Sequence, residues 1–65
     1  MCEANVYLLN ENGEEELLLE AVDKIIPSEK GIVLESIFYE QKIVRASIKE
    51  MELVRHRIIL EKLPD

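Results

Sequence analysis

The most reactive side chain in this sequence stands where the backbone is least constrained. The one cysteine, Cys2, sits in the opening segment Met1-Cys2-Glu3-Ala4-Asn5-Val6. A single thiolate does not hold a metal strongly, but this position adds two things. The Cys2 amide nitrogen and thiolate can close a chelate ring, with the terminal amine one residue away, or on Cys2 itself once Met1 is removed. Nitrogen and sulfur donors of this kind suit square-planar Ni(II) or Cu(II). A twofold axis beside Cys2 would bring two such donor sets together, because an isologous dimer presents the same patch from both protomers. The plainer reading is a small apolar residue at the start of a strand, where cysteine is often buried.

Other residue types able to do chemistry are sparse or badly spaced. His56, the one histidine, lies between Arg55 and Arg57. No carboxylate is spaced to orient it as a base, and it reads as an exposed turn histidine. Glu14, Glu15 and Glu16 are consecutive and point in different directions, so they read as a solvated acidic run and not as an oxygen cage. Two glycines are too few for a glycine-rich phosphate loop, and one cysteine excludes a Cys-x-x-Cys pair. No nucleophile–base pair is in view, so the chain does not read as an enzyme. A nucleic-acid surface would have to use Lys42, Arg45, Lys49, Arg55 and Arg57. These are interleaved with Glu50 and Glu52, and the net charge of −6 opposes a polyanion, so nucleic acid is not an expected partner.

The elements that must position these residues read as strands. Cys2 to Leu9 alternates, with Ala4, Val6 and Leu8 on one face. Asn10-Glu11-Asn12-Gly13 is a turn, since Asn and Gly tolerate positive φ. Residues 14–26 are ambiguous. Leu18, Val22, Ile25 and Ile26 fit a helical stripe behind an acidic start, yet the same residues allow strands. Pro27 is expected to end whichever element precedes it, and Gly31 to supply a positive φ in the turn Ser28–Gly31. Strands follow over 32–38 and 42–48, with Tyr39–Gln41 as the connection. Residues 50–54 and 57–62 flank a tight hairpin at Arg55-His56. Five or six short antiparallel strands, with turns about every 8–12 residues, predict an all-β domain over 1–65. A small SH3-like partly open barrel fits the size best.

The 65-residue length bears on assembly. A chain this short buries roughly 60% of its unfolded surface, and such a core rarely supplies more than about 3–5 kcal/mol. One cysteine cannot form an internal disulfide. With 48% apolar residues, almost all aliphatic, some must lie exposed, and a homodimer is the expected staple. The start has no basic segment followed by an apolar stretch, and no apolar run approaches the length of a membrane span. Together with the odd cysteine this predicts a cytoplasmic protein.

Over nearly its whole length the sequence resembles the CooT family, small proteins associated with nickel supply to carbon monoxide dehydrogenase. The resemblance rests on the start "MCEANVYL", on "KGIVLESIFYEQKIV", and on "IKEMELVRHRIILE". It implies an SH3-like β fold, a homodimer, and nickel binding through the cysteine that matches Cys2. The family has also been described as RNA-binding, a description that the acidic charge of this chain opposes. Only Cys2 carries a family role onto this sequence; none is transferred to His56. With the resemblance included, the chain reads as a nickel-binding metallochaperone or storage dimer. Cys2 would be the ligand at the dimer axis, Ni2+ the transient cargo, and a nickel enzyme or its maturation proteins the client. The alternatives are a nucleic-acid-binding module and a protein-interaction module without metal.

Overall fold

The computed structural model describes residues 3–63. Six strands make up its regular structure: β1 (Ala4–Leu9), β2 (Glu15–Ser28), β3 (Gly31–Ser36), β4 (Gln41–Val44), β5 (Ala46–Glu52) and β6 (Arg57–Lys62). They form a sheet in the order β4-β3-β2-β1-β6-β5 that does not close. This is the all-β, SH3-like partly open barrel that the sequence predicts. One pairing departs from the antiparallel expectation: β1 runs parallel to β6, from Asn5 opposite Arg57 to Leu9 opposite Glu61. The two strands belong to different hairpins, β1–β2 and β5–β6. Parallel neighbours need a long connection, and everything from β2 to β5 supplies it.

The β1–β2 turn is set by Asn10. Its Oδ1 accepts from the amides of Asn12 and Glu14, each at 2.9 Å, while Gly13 takes φ +82°. That turn sets Leu9 opposite Glu15 and commits the ambiguous segment to strand. The whole of Glu15–Ser28 is one long strand. Its first part pairs with β1 and its last part with β3, and Val22 faces Ala4 on one side and Ser36 on the other. The helical spacing of Leu18, Val22 and Ile25 survives as a consequence of bulges, which shift the inward-facing register along β2.

Pro27 does not end the strand. It lies within β2 opposite Ile32, and pairing continues to Ser28 opposite Gly31. β1 reaches only as far as Val22, so the other edge of β2 is free there and a missing N–H costs no ladder bond. β3 stops at Ser36, two residues before the expected end. Ser36 is 2% exposed. Its Oγ accepts from the amides of Phe38 (3.1 Å) and Glu40 (3.2 Å), which folds Ile37–Glu40 into a turn. The expected strand over 42–48 breaks at Arg45. Val44 pairs with Ile32 and Ala46 with Lys62, on opposite sides of the sheet. Arg45 is therefore the corner, and its carbonyl accepts from the Leu63 amide at 3.1 Å. The last turn, Leu53–His56, contains the expected Arg55-His56 but also takes in Leu53 and Val54, which were expected in a strand, because β5 ends at Glu52.

Inward-facing Val6, Leu19, Val22, Ile32, Leu34, Ala46, Ile58 and Leu60 form the core, with Ala4, Leu8, Leu18, Ile25 and Val44 packed against it. Ala4, Val6 and Leu8 are the face that β1's alternation predicts. No helix of the described residues is long and apolar enough to cross a membrane.

Candidate functional site

Cys2 lies outside the described residues. What can be built is the end of the sheet into which its strand leads. β1 begins at Ala4. The next residue, Asn5, ties three segments together. Its amide donates to the His56 carbonyl at 2.9 Å. Its Oδ1 accepts from the Ala21 amide at 3.2 Å, and the Ala21 carbonyl accepts from the Ile37 amide at 2.9 Å. Ala21 has φ +54°, a conformation that costs an L-residue about 1–2 kcal/mol. Asn5 and Ile37 bond both sides of that strained unit. Sequence reading took Asn5 only as an outward residue of an alternating strand, because no local pattern announces a bond spanning 16 positions.

Glu3 lies just before β1. It is half-buried, and its Oε2 is shut off from water with no hydrogen-bond partner among the described residues. An acceptor left in that state costs about 1–3 kcal/mol, and more when the group is charged.

The same end carries apolar side chains in the open. In the β5–β6 turn Leu53 is 70% and Val54 93% exposed, and Met51 precedes them on β5. Phe38 and Tyr39 stand exposed in the β3–β4 turn, with Tyr39 at φ +66°. Large apolar groups so exposed mark surfaces that meet something.

His56 is exposed, as its sequence context suggests, and its backbone makes its contacts: its amide donates to the Leu53 carbonyl at 3.2 Å and its carbonyl accepts from the Asn5 amide. The acidic run also behaves as expected. Glu14 and Glu16 accept from the Asn10 amide group, while Glu15 pairs with Arg57. No group of three or more His, Cys, Asp or Glu among the described residues is placed to hold a metal.

Several of the cations are engaged within the fold. Lys42 donates to the Leu18 carbonyl at 2.8 Å. Arg57 bridges Glu15 and Glu52, the latter at 2.9 Å, and lies over the Tyr7 ring at 4.9 Å. Desolvation works against its charge, but Glu15 and Glu52 outweigh this and hold the guanidinium above its usual range. Arg55 approaches Glu52 at 3.8 Å. These residues do not form the unpaired stripe that a phosphate backbone requires.

Comparison with known proteins gives a consistent family. The model of the family described as CO dehydrogenase accessory protein CooT matches residues 1–61. A crystal structure of a proposed CooT from Carboxydothermus hydrogenoformans is 51% identical, covers 97% of this chain and 100% of its own, and superposes with a TM-score of 0.90. No curated protein matches the chain. The chain belongs to the CooT family of CO dehydrogenase accessory proteins.

Proposed function

We propose that this chain is a nickel-binding metallochaperone or storage protein that works as a homodimer and supplies CO dehydrogenase or a similar nickel enzyme. The observation that carries this reading is the family match over residues 1–61, which spans Cys2 and names an accessory of that enzyme. Cys2 is the proposed ligand, at the dimer axis. The exposed apolar groups Met51, Leu53 and Val54, at the end where β1 begins, support a second copy meeting the first there. One cysteine per chain then suffices for one ion per dimer.

The role is capture and release of Ni2+ as cargo, in the cytoplasm, without catalysis. Cys2 loses its proton on binding, so affinity rises with pH.

The test is a Ni(II) titration of the purified protein and of Cys2→Ser, followed by near-ultraviolet absorption and size exclusion. The reading expects thiolate-to-nickel bands that saturate near one nickel per two chains and vanish in Cys2→Ser. Unchanged nickel binding in Cys2→Ser would overturn it.

A further inference from the structure

We infer that Asn12 and Gly13 form a self-modifying site: the Gly13 amide nitrogen displaces ammonia from the Asn12 side chain, and the turn built on Asn10 restrains the reaction. The chemistry needs only these residues and water. The Gly13 amide gives its proton to solvent, and its nitrogen attacks Asn12 Cγ. A new N–C bond closes a five-membered succinimide, the Cγ–Nδ2 bond breaks, and the leaving nitrogen takes up a proton as ammonia. Water then opens the ring. Opening at the side-chain carbonyl gives aspartate. Opening at the main-chain carbonyl gives isoaspartate, with the chain running on through the former side chain.

The sequence has asparagine at positions 5, 10 and 12, and the fold separates them. Asn5 lies in β1 ahead of the β-branched Val6, and its Oδ1 accepts from the Ala21 amide at 3.2 Å. Asn10 precedes Glu11. Its Oδ1 accepts from the Asn12 and Glu14 amides, and its Nδ2 donates to Glu16 at 3.2 Å. Asn12 is exposed, and its side-chain amide has no partner among the described residues. It alone precedes a glycine. Gly13 is exposed too, with open space where a Cβ would stand, so no side chain crowds the approach of its nitrogen.

Asn10 holds the nucleophile back. The Gly13 amide donates to the Asn10 carbonyl at 3.0 Å, and a bonded amide neither loses its proton nor swings toward Cγ as readily as a free one. The two bonds to Asn10 Oδ1 close the same turn on either side of Gly13, at residues 12 and 14. Attack therefore requires the turn to open, and exposed loop tips are among the first parts of a fold to do so. Each conversion adds one negative charge to a formal −6. The isoaspartate form also lengthens the turn that sets Leu9 opposite Glu15. A domain this small has little stability to spare, so the reaction marks older copies by both charge and stability.

The experiment incubates the full-length protein at physiological temperature in mildly alkaline buffer, folded and in urea, beside Asn10→Ala. Peptide mapping by mass spectrometry then separates asparagine, aspartate and isoaspartate at each position. The expected result is conversion at Asn12 well ahead of Asn5 and Asn10, and faster in urea than in the folded protein. Asn10→Ala, shown folded by circular dichroism, should convert about two- to tenfold faster than wild type, the factor that one ordinary hydrogen bond is worth. The purified isoaspartate form should melt below Asn12→Asp, which gains the same charge without the longer backbone. Asn12 left intact while the urea sample converts, or conversion at Asn5 or Asn10 at an equal rate, overturns the site. A folded Asn10→Ala protein that converts at the wild-type rate overturns the restraint by Asn10. Equal melting of the isoaspartate form and Asn12→Asp overturns the loss of stability.

Discussion

Asn5 shows how much of the candidate site depends on a side chain that looks unremarkable in sequence. Removing its amide leaves the Ala21 N–H without its acceptor beside a strained backbone unit. Asn5→Ala should cost about 1–2 kcal/mol, the net value of the bond plus the unsatisfied donor, read as a lower thermal midpoint. The Ala21 conformation gives a paired expectation. Ala21→Gly should fold at least as stably as the wild type, because glycine enters positive φ without strain. Ala21→Val should lose about 1–3 kcal/mol, since a β-branched residue resists that region. Equal stability of the two variants would show that the bond from Asn5, and not the backbone angle, governs this position. None of this is legible in the sequence, where alanine carries no signal of positive φ and the partner lies far along the chain. Cys2 draws attention in the sequence for the opposite reason: it is the only residue of its type, its neighbours carry a family resemblance, and its role stands as the proposal that the nickel titration tests.

The strands divide by whether their ends are set locally. Gly13 and Gly31 were readable as turn residues because positive φ belongs to glycine, and both adopt it. β1 was readable because one of its faces is packed on the core. β2 was not, since its register shifts three times and the inward positions drift into a helix-like spacing. Pro27 misled for a related reason. Whether a proline breaks a strand depends on what lies along its free edge, and that is a tertiary fact. The β3–β4 turn was misplaced because the buried Ser36 hydroxyl, and not a glycine or proline, draws the chain round. Gly31 carries the sharpest expectation for an element. It has φ +137°, and a Cβ there would run into the Val44 carbonyl across β4. Both effects oppose a side chain, and the obstructing atom is backbone, which cannot swing aside. Gly31→Ala should therefore destabilise by about 3 kcal/mol or more, the strain at φ > 0 adding to the clash. Given the roughly 3–5 kcal/mol such a core supplies, little stability remains and a measurable fraction of the variant should be unfolded. Circular dichroism at 25 °C checks this.

The open sheet brings these local features together at one end of the molecule. Because β1 and β6 are parallel, the start of β1 lies beside the β5–β6 turn, where Leu53 and Val54 stand in solvent. An antiparallel pairing would have put β1's start at the other end of β6, away from that apolar turn. The parallel pairing was not legible in the sequence, because it depends on which hairpin edges meet after the chain has turned its corner at Arg45. It is what links the two halves of the proposed function: the cysteine that would hold nickel and the surface that would hold a second copy. The two should therefore fail together. Val54→Glu places a charge on the most exposed apolar side chain of the described residues. It should leave the fold intact, since surface changes usually fall within about 0.5 kcal/mol. On the proposed dimer it should shift the size-exclusion profile toward monomer. It should also move nickel stoichiometry away from one per two chains and weaken the thiolate bands, although residue 54 is far from Cys2 in sequence. A Val54→Glu protein that is monomeric yet binds nickel with wild-type stoichiometry would separate the two properties. Metal binding would then be assigned to a single chain, and the apolar turn would be left as a surface for a different protein.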